Sequence, residues 1–170
     1  MIEIRDAVAA DADAIAEINA ACWRTAYRGI IDGDRLKGIP VKAWAREIAA
    51  NLEELAPGSF DLVAVVDGVV AGSCFVTAPA RDGDLGPEVA ELVAIYVHPD
   101  RWNQGIGRAL VAEAVNRSTE LGFSELSLWT LTLNDRALAF YEALGWEPDG
   151  REQTHPVARA AALRMRRPLG

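Results

Sequence analysis

The spacing of apolar residues changes along the chain and predicts helices and strands in turn. Ile2–Arg5 alternates apolar with charged side chains, which is the period of a half-buried strand. After a possible cap at Asp11 or Asp13, apolar residues recur at helical spacing, and a second such stretch has Pro40 as its first helical residue. Between the two stretches, segment 27–34 is rich in turn residues. The amino-terminal third therefore predicts one strand and two helices.

The rest of the chain has the pattern of strands joined to helices. Asp67-Gly68 lies between two apolar runs and supplies the positive φ that a tight hairpin turn requires. The stretch from Ala78 to Pro87 is rich in proline and glycine, which predicts an exposed loop. Strands are predicted at Phe60–Val66, from Val69, at Leu92–Val97, Glu125–Leu131, Trp146 and Val157–Met165, and helices at Gly107–Leu121 and Asn134–Leu144.

Composition narrows the class of protein. A length of 170 residues with 51% hydrophobic and 25% charged residues is typical of one globular domain, residues 1–170, and excludes a second catalytic domain. With 25 acidic against 17 basic residues the net charge is -8, so no nucleic-acid partner is expected. There is no run of about 20 apolar residues, and the only cysteines are Cys22 and Cys74. We therefore predict a cytoplasmic protein without a membrane partner.

A glycine-containing loop is the first candidate for chemistry. The predicted strand ends at Val97, and Gly105 and Gly107 precede the next helix. Free N–H groups and the positive dipole end at such a helix start favour an anion, above all a phosphate. A dinucleotide fingerprint would need glycine where Leu110 stands, and the Gly-Lys-Ser/Thr of a P-loop is missing. The alternative interpretation is a tight strand-to-helix turn without a ligand.

A second motif, Asn134 to Trp146, follows about 30 residues later. The two motifs together resemble the GNAT superfamily of acyl-CoA-dependent N-acetyltransferases. Its loop reads Gln/Arg-x-x-Gly-x-Gly/Ala, and Trp102 stands here at the first position. Its later helix reads Asn-x-x-Ala-x-x-Phe-Tyr-x-x-x-Gly-Phe, which this chain matches at Asn134, Ala137, Phe140, Tyr141 and Gly145, with Trp146 as the aromatic residue.

The resemblance implies a mixed α/β (α+β) fold: a mostly antiparallel sheet of about six to seven strands flanked by about four helices. Two parallel strands would splay apart and hold acetyl-CoA as cosubstrate, without a metal. Strand backbone would pair with the pantetheine, loop N–H groups would hold the pyrophosphate, and Asn134 would bind the pantetheine arm or cap its helix. The predicted cofactor-binding residues are Ile95, Tyr96, Val97, Asn103, Gln104, Gly105, Ile106, Gly107, Arg108 and Asn134.

The resemblance also implies two catalytic residues. Tyr141 matches the general acid that protonates the leaving thiolate, and a buried aromatic residue is the alternative. Glu91 begins a strand where the family often places a base or a water-holding carboxylate. Period-2 alternation puts it on the face of Ile95 and Val97, and a solvent-facing charge is the alternative.

The acceptor is predicted to be a primary amine of a small molecule, an amino acid or a peptide. The resemblance implies that Trp23, Tyr27 and Trp129 line its pocket, although the same aromatic residues suit a core. Direct transfer is preferred to a covalent route because no base is predicted beside either cysteine. An acyl-CoA-binding module without transferase activity is the alternative function, and a homodimer is possible. The basic run at 164–167 is predicted to be a solvated strand end.

Overall fold

The computed structural model describes residues 1–170. Seven strands and five α-helices follow one another along the chain, and none of the helices is both long and apolar enough to span a membrane. In chain order the elements are β1 (Ile2–Asp6), α1 (Ala12–Ala26), α2 (Gly33–Lys37), α3 (Val41–Glu53), β2 (Phe60–Val66), β3 (Val69–Thr77), β4 (Val89–Val97), α4 (Ile106–Glu120), β5 (Glu125–Leu131), α5 (Asp135–Glu142), β6 (Glu147–Thr154) and β7 (Ala161–Pro168).

All seven strands belong to one sheet of order β1-β2-β3-β4-β5-β7-β6. Every neighbouring pair is antiparallel except β4 and β5, which are parallel. These two strands pair only at Val89–Glu91 against Glu125–Ser127 and then separate. The predicted mixed, mostly antiparallel sheet with two splayed parallel strands is confirmed.

Apolar side chains pack on both faces of the sheet. The larger cluster joins α4 to the strands and includes Leu92, Leu110 and Leu126. A smaller cluster joins α1 to the end of β5 through Trp23 and Leu131. Because helices cover both faces, the central strands are apolar on both sides, which explains their continuous hydrophobic runs.

Several boundaries differ from the sequence-based prediction: α3 begins at Val41 rather than at Pro40, and the strand predicted at Trp146 is β6, which begins at Glu147. Segment 27–34, predicted to be turns, includes the start of α2, because the Asp32 carboxylate accepts hydrogen bonds from two backbone N–H groups of its first turn. Strand β4 begins at Val89 rather than at Leu92. The closing strand β7 begins at Ala161, so the first residues of the predicted strand lie in the β6–β7 loop.

A β-bulge in β4 corrects the predicted orientation of Glu91. Val76 pairs with Leu92 and the adjacent Phe75 with Ala94, so one extra residue lies between those two positions of β4. The bulge reverses the alternation, because Leu92 now shares the larger cluster with Ile95. Glu91 therefore lies on the opposite face from Ile95, not on the same face as predicted.

The loop between β3 and β4 is held to the sheet by ion pairs. Arg164 on β7 is only 3% exposed, and its guanidinium donates to Asp84 at 2.8 and 2.9 Å and to Asp149 at 2.7 Å. Asp82 of the same loop accepts from the Trp129 indole at 2.9 Å. The predicted solvated strand end is wrong at Arg164, because carboxylates from two other segments cover it.

Asp61 on β2 gives the fold a testable pH dependence. Its Oδ1 has no hydrogen-bond partner, and burial raises the pKa of its carboxyl group to about 7. An acid whose pKa is higher in the folded state loses its stabilising contribution as pH rises from its unfolded pKa of about 3.9 to its folded pKa. We expect Asp61→Asn to remove this loss and to exceed the wild type in unfolding free energy by about 1–3 kcal/mol at pH 8.

Urea denaturation of both proteins between pH 5 and pH 8 measures this effect. The difference between them isolates Asp61, since the other titrating groups are common to both. Parallel curves across the range would contradict the raised pKa of Asp61.

Candidate active site

A cleft of about 780 Å³ opens where β4 and β5 separate. Its walls come from β4, β5, α5, the loop before α4 and the end of α1, and all three tyrosines of the chain line it. The predicted site residues that line the cleft are Tyr27, Ile95, Tyr96, Val97, Asn103, Gly105, Ile106, Gly107, Arg108, Trp129, Asn134 and Tyr141. Three others, Trp23, Glu91 and Gln104, do not line it.

The backbone N–H groups at the start of α4 form a ready anion site. Gly105 has a φ of 82° and Asn103 a φ of 62°, so the chain passes twice through the left-handed region before the helix begins. From Asn103 to Arg108 no backbone N–H has an intramolecular partner. The adjacent Gln104 is exposed, and its side-chain amide donates to a backbone carbonyl within its own loop at 3.4 Å. Within the loop, the anion site is therefore built from main-chain groups and the helix dipole rather than from the Gln104 side chain.

The two glycines of this loop are needed for different reasons. Gly105 has open space where a Cβ would lie, so its positive φ is the constraint. A Cβ on Gly107 would lie 3.2 Å from Cζ of Phe140 and 3.7 Å from a methyl group of Val97. Gly107 therefore lets α4 begin close to both β4 and α5.

Trp102, where the resembled family has Gln or Arg, joins the loop to two neighbouring elements. Its indole Nε1 donates to the Val97 carbonyl at 2.7 Å. The guanidinium of Arg136 lies over the indole ring, 4.1 Å from its centre, and donates to the Asn103 side chain at 3.3 Å. Trp102 and Asn103 thus hold beside the loop a guanidinium that α5 supplies.

Arg136 is a site residue that the sequence reasoning missed. It stands in the first turn of α5, where a positive charge opposes the helix dipole. An unfavourable positive charge at a helix start is the sequence signal that could have identified Arg136. With Arg101 and Arg108 it makes the lining of the cleft positive, and no aspartate or glutamate lines the cleft, although the protein has a net charge of -8.

The open edge of β4 and the cap of α5 flank the middle of the cleft. Beyond Glu91 the edge of β4 has no strand partner on the side of β5. At its end the Val97 carbonyl already accepts from Trp102 and from the Cys22 thiol, whereas no side chain bonds to the backbone of Ile95. Asn134 caps α5 by accepting from the N–H of Ala137 at 3.2 Å, and its side-chain NH₂ group remains available.

Tyr141 lies at the base of the cleft and is 8% exposed. Its ring packs edge-on against Phe140 and Trp146, with centroids 5.4 and 6.0 Å away. Burial, with a smaller contribution from Tyr96, raises the pKa of its hydroxyl. Tyr141 is therefore a neutral phenol that can donate a proton at physiological pH. It is also buried, as the alternative interpretation of a buried aromatic residue requires.

Glu91 lies beside the cleft and is held by one arginine. It is 2% exposed, and Arg81 donates to its two oxygens at 2.6 and 2.9 Å from the side chain and at 3.1 Å from the backbone. The solvent-facing alternative does not match this environment, and the role of Glu91 as a base stays a prediction. The contacts fit a residue that anchors the β3–β4 loop.

The other end of the cleft, which we call the acceptor end, is lined by Tyr27, Tyr96, Trp129 and His155. Trp23 lies behind it, and its indole donates to the Tyr96 hydroxyl at 2.9 Å. Trp23 therefore positions another side chain and does not line the pocket itself.

Two further side chains at this end have properties that limit their chemistry. Burial, with the nearby Arg81 charge, lowers the pKa of His155, which lies on the β6–β7 loop. Cys22 also lines the cleft, and burial raises the pKa of its thiol to about 12. The cysteine is thus a thiol at neutral pH and a poor nucleophile.

Comparisons with known proteins agree with this geometry. Residues 13–146 match the model of the Acetyltransferase (GNAT) family. The chain is 32% identical over 143 residues to an uncharacterized N-acetyltransferase, YuaI, of Bacillus subtilis, which covers 84% of this chain and 79% of that protein.

Two solved structures share the fold. The PaiA N-acetyltransferase from Thermoplasma acidophilum, in complex with coenzyme A, has a TM-score of 0.77 at 21% identity and covers 99% of both chains. A phosphinothricin acetyltransferase from Sinorhizobium meliloti, in complex with AcCoA, has a TM-score of 0.74 at 27% identity over 99% of this chain and 89% of that one. Since the family model spans well over half of the sequence and includes both motifs, the chain belongs to the GNAT family of acetyltransferases.

Proposed function

We propose that the cleft transfers the acetyl group of acetyl-CoA directly to a primary amine. The observation that carries this proposal is the row of unpartnered N–H groups from Asn103 to Arg108 beside the open edge of β4. These groups suit a pyrophosphate, and the strand edge suits the amide groups of pantetheine. The two structural relatives solved with coenzyme A or AcCoA support the same cosubstrate.

In this mechanism Tyr141 moves one proton. The amine nitrogen attacks the thioester carbon, a backbone N–H near Ile95 stabilises the oxyanion, and the C–S bond breaks. Tyr141 donates its hydroxyl proton to the leaving sulfur and regains one from the nitrogen, so the net proton transfer is from nitrogen to sulfur. The neutral phenol of Tyr141 suits this role because it holds its proton until thiolate forms.

Release of free thiol from acetyl-CoA, measured with and without a panel of amines, tests the function. We expect release to depend on the amine and to match acetylated product mole for mole. Tight binding of coenzyme A without amine-dependent release would instead identify an acyl-CoA-binding module.

The cleft provides no general base, and this predicts a specific pH dependence. No carboxylate lines it, and Nδ1 of His155 accepts from two backbone N–H groups of its loop. The reactive species is therefore the amine that is already neutral. We expect log kcat/KM for the amine to rise with unit slope up to the pKa of that amine, and the inflection to move when a less basic amine is used. An inflection fixed near pH 6–7 for both amines would show a base on the enzyme.

Arg136 is expected to bind cofactor phosphate. Arg136→Ala should raise KM for acetyl-CoA about fivefold to tenfold and change kcat less than about twofold, because a charge-assisted contact to a phosphate is made equally in ground and transition states. Arg46→Ala, which removes a charge from the exposed surface of α3, is the matched control and should leave KM unchanged. Equal KM values for the two variants would remove Arg136 from the site.

A further inference from the structure

The acceptor end of the cleft lacks the feature that would recognise a second positive charge on the acceptor. None of the 25 acidic residues of the chain lines any part of the cleft. The two nearby carboxylates are already engaged, Glu91 by Arg81 and Asp82 by the Trp129 indole. A polyamine would therefore bring an additional cation to a wall without a free carboxylate.

His155 presents a hydrogen-bond donor at the same end. Its Nδ1 accepts from the N–H groups of Val157 at 3.2 Å and Ala158 at 3.0 Å, so this nitrogen carries no proton. The proton of the neutral ring is then on Nε2, which has no partner within the protein. Since His155 lines the cleft, its Nε2–H can bind an oxygen of the acceptor.

The basicity of the amine provides a third constraint, which rests on the proposed function. An α-amino group beside a peptide carbonyl has a pKa of about 7.7–8.0, whereas an alkylamine such as that of lysine has a pKa of about 10.4. At pH 7.5 roughly a third of the first kind and about one part in a thousand of the second kind are neutral. A cleft without a base therefore favours the α-amino group, although the greater nucleophilicity of a neutral alkylamine offsets part of this advantage.

We infer, on the basis of the proposed function, that the acceptor is an α-amino group with an adjacent carbonyl, as in a peptide amino terminus or an amino-acid amide, and that His155 Nε2–H binds the carbonyl oxygen. Aromatic side chains of Tyr27, Tyr96 and Trp129 complete the wall around it and suit a neutral or apolar residue at this position.

The test compares phenylalaninamide with 2-phenylethylamine, which differ only in the carboxamide beside the amine, together with Phe-Gly-Gly and spermidine. At pH 7.5 kcat/KM should be at least about tenfold higher for the amide than for 2-phenylethylamine. At a pH where both amines are neutral, the ratio of kcat/KM for the amide to that for 2-phenylethylamine should be about fivefold to tenfold higher in the wild type than in a variant without the His155 donor, and this difference reports the contact. A higher value for Phe-Gly-Gly than for the amide would identify the peptide as the source of the acceptor.

Two substitutions isolate the donor of His155. His155→Asn keeps an acceptor near the position of Nδ1 for the loop and removes the distant donor, so the ratio of the two pH-independent kcat/KM values should fall about fivefold to tenfold at unchanged KM for acetyl-CoA. His155→Gln places an amide near the position of Nε2 and should retain part of the wild-type preference for the carboxamide. The same ratio of pH-independent kcat/KM values in the wild type and in His155→Asn, or the highest kcat/KM with spermidine, would overturn this inference alone. Thiol release that no amine accelerates would overturn the proposed function as well.

Discussion

Tyr141→Phe is expected to slow acetyl transfer about 10²–10³-fold at saturating substrates, because the variant has no proton to give to the leaving thiolate. The ring packs between Phe140 and Trp146, and phenylalanine preserves those contacts. Neither the melting temperature nor the affinity for acetyl-CoA should change appreciably, since the hydroxyl makes no hydrogen bond to another part of the protein. Steady-state kinetics with saturating acetyl-CoA gives kcat, and calorimetry gives the affinity.

The rate loss in Tyr141→Phe should be smaller when the leaving thiolate needs less help from a proton. If Tyr141 protonates sulfur, an acetyl thioester of a more acidic thiol should be used by the variant almost as well as by the wild type. An equal loss of rate with both thioesters, or a turnover rate within about threefold of the wild type, would contradict the acid role.

Arg81→Ala is expected to cause the largest loss of stability. Glu91 would keep only a backbone N–H as its partner, and because the Arg81 side chain is itself 63% exposed, the loss should be about 2 kcal/mol, less than for a fully buried pair. For a domain of this length the melting temperature should fall by about 4–8 °C. Thermal unfolding monitored by circular dichroism measures the change.

Glu91→Gln separates the structural role of Glu91 from a catalytic one. The side-chain amide introduced by Glu91→Gln is uncharged, so it leaves no unpaired charge when Arg81 is removed. The double variant Arg81→Ala/Glu91→Gln should therefore recover most of the stability lost in Arg81→Ala. The single variant Glu91→Gln should turn over acetyl-CoA within about threefold of the wild-type rate. If a stably folded Glu91→Gln protein instead lost activity by about two orders of magnitude, Glu91 would be restored as the base.

The fold could be predicted largely from local patterns. The hairpin at Asp67-Gly68, the strand at Glu125–Leu131 and the helix after the glycine loop agree with the structure because turn chemistry and apolar periodicity act over a few residues. The short helix α2 depends on one capping side chain, Asp32, whose carboxylate accepts from two N–H groups. The bulge in β4 depends on pairing with β3 and leaves no local sign.

The part of the cleft around the loop before α4 could be predicted better than the acceptor end. Main-chain groups around Gly105 and Gly107 are fixed by a contiguous motif, so their place in the sequence determines their place in the cleft. The surroundings of Glu91, Trp23 and His155 depend instead on other parts of the chain. Arg81 binds Glu91, and Trp23 supports Tyr96. His155 belongs to the loop between β6 and β7. Their roles are set by tertiary contacts that no short stretch of sequence specifies.

Mass spectrometry of a single turnover tests direct transfer within this cleft most directly. The protein is mixed with an equal amount of acetyl-CoA, with and without Phe-Gly-Gly, and both intact protein and peptide are weighed over time. We expect unmodified protein throughout and acetylated peptide only when the peptide is present, because Cys22 remains a thiol and the amine attacks the thioester itself. An acetylated protein that forms without peptide and passes its acetyl group to the peptide would contradict direct transfer.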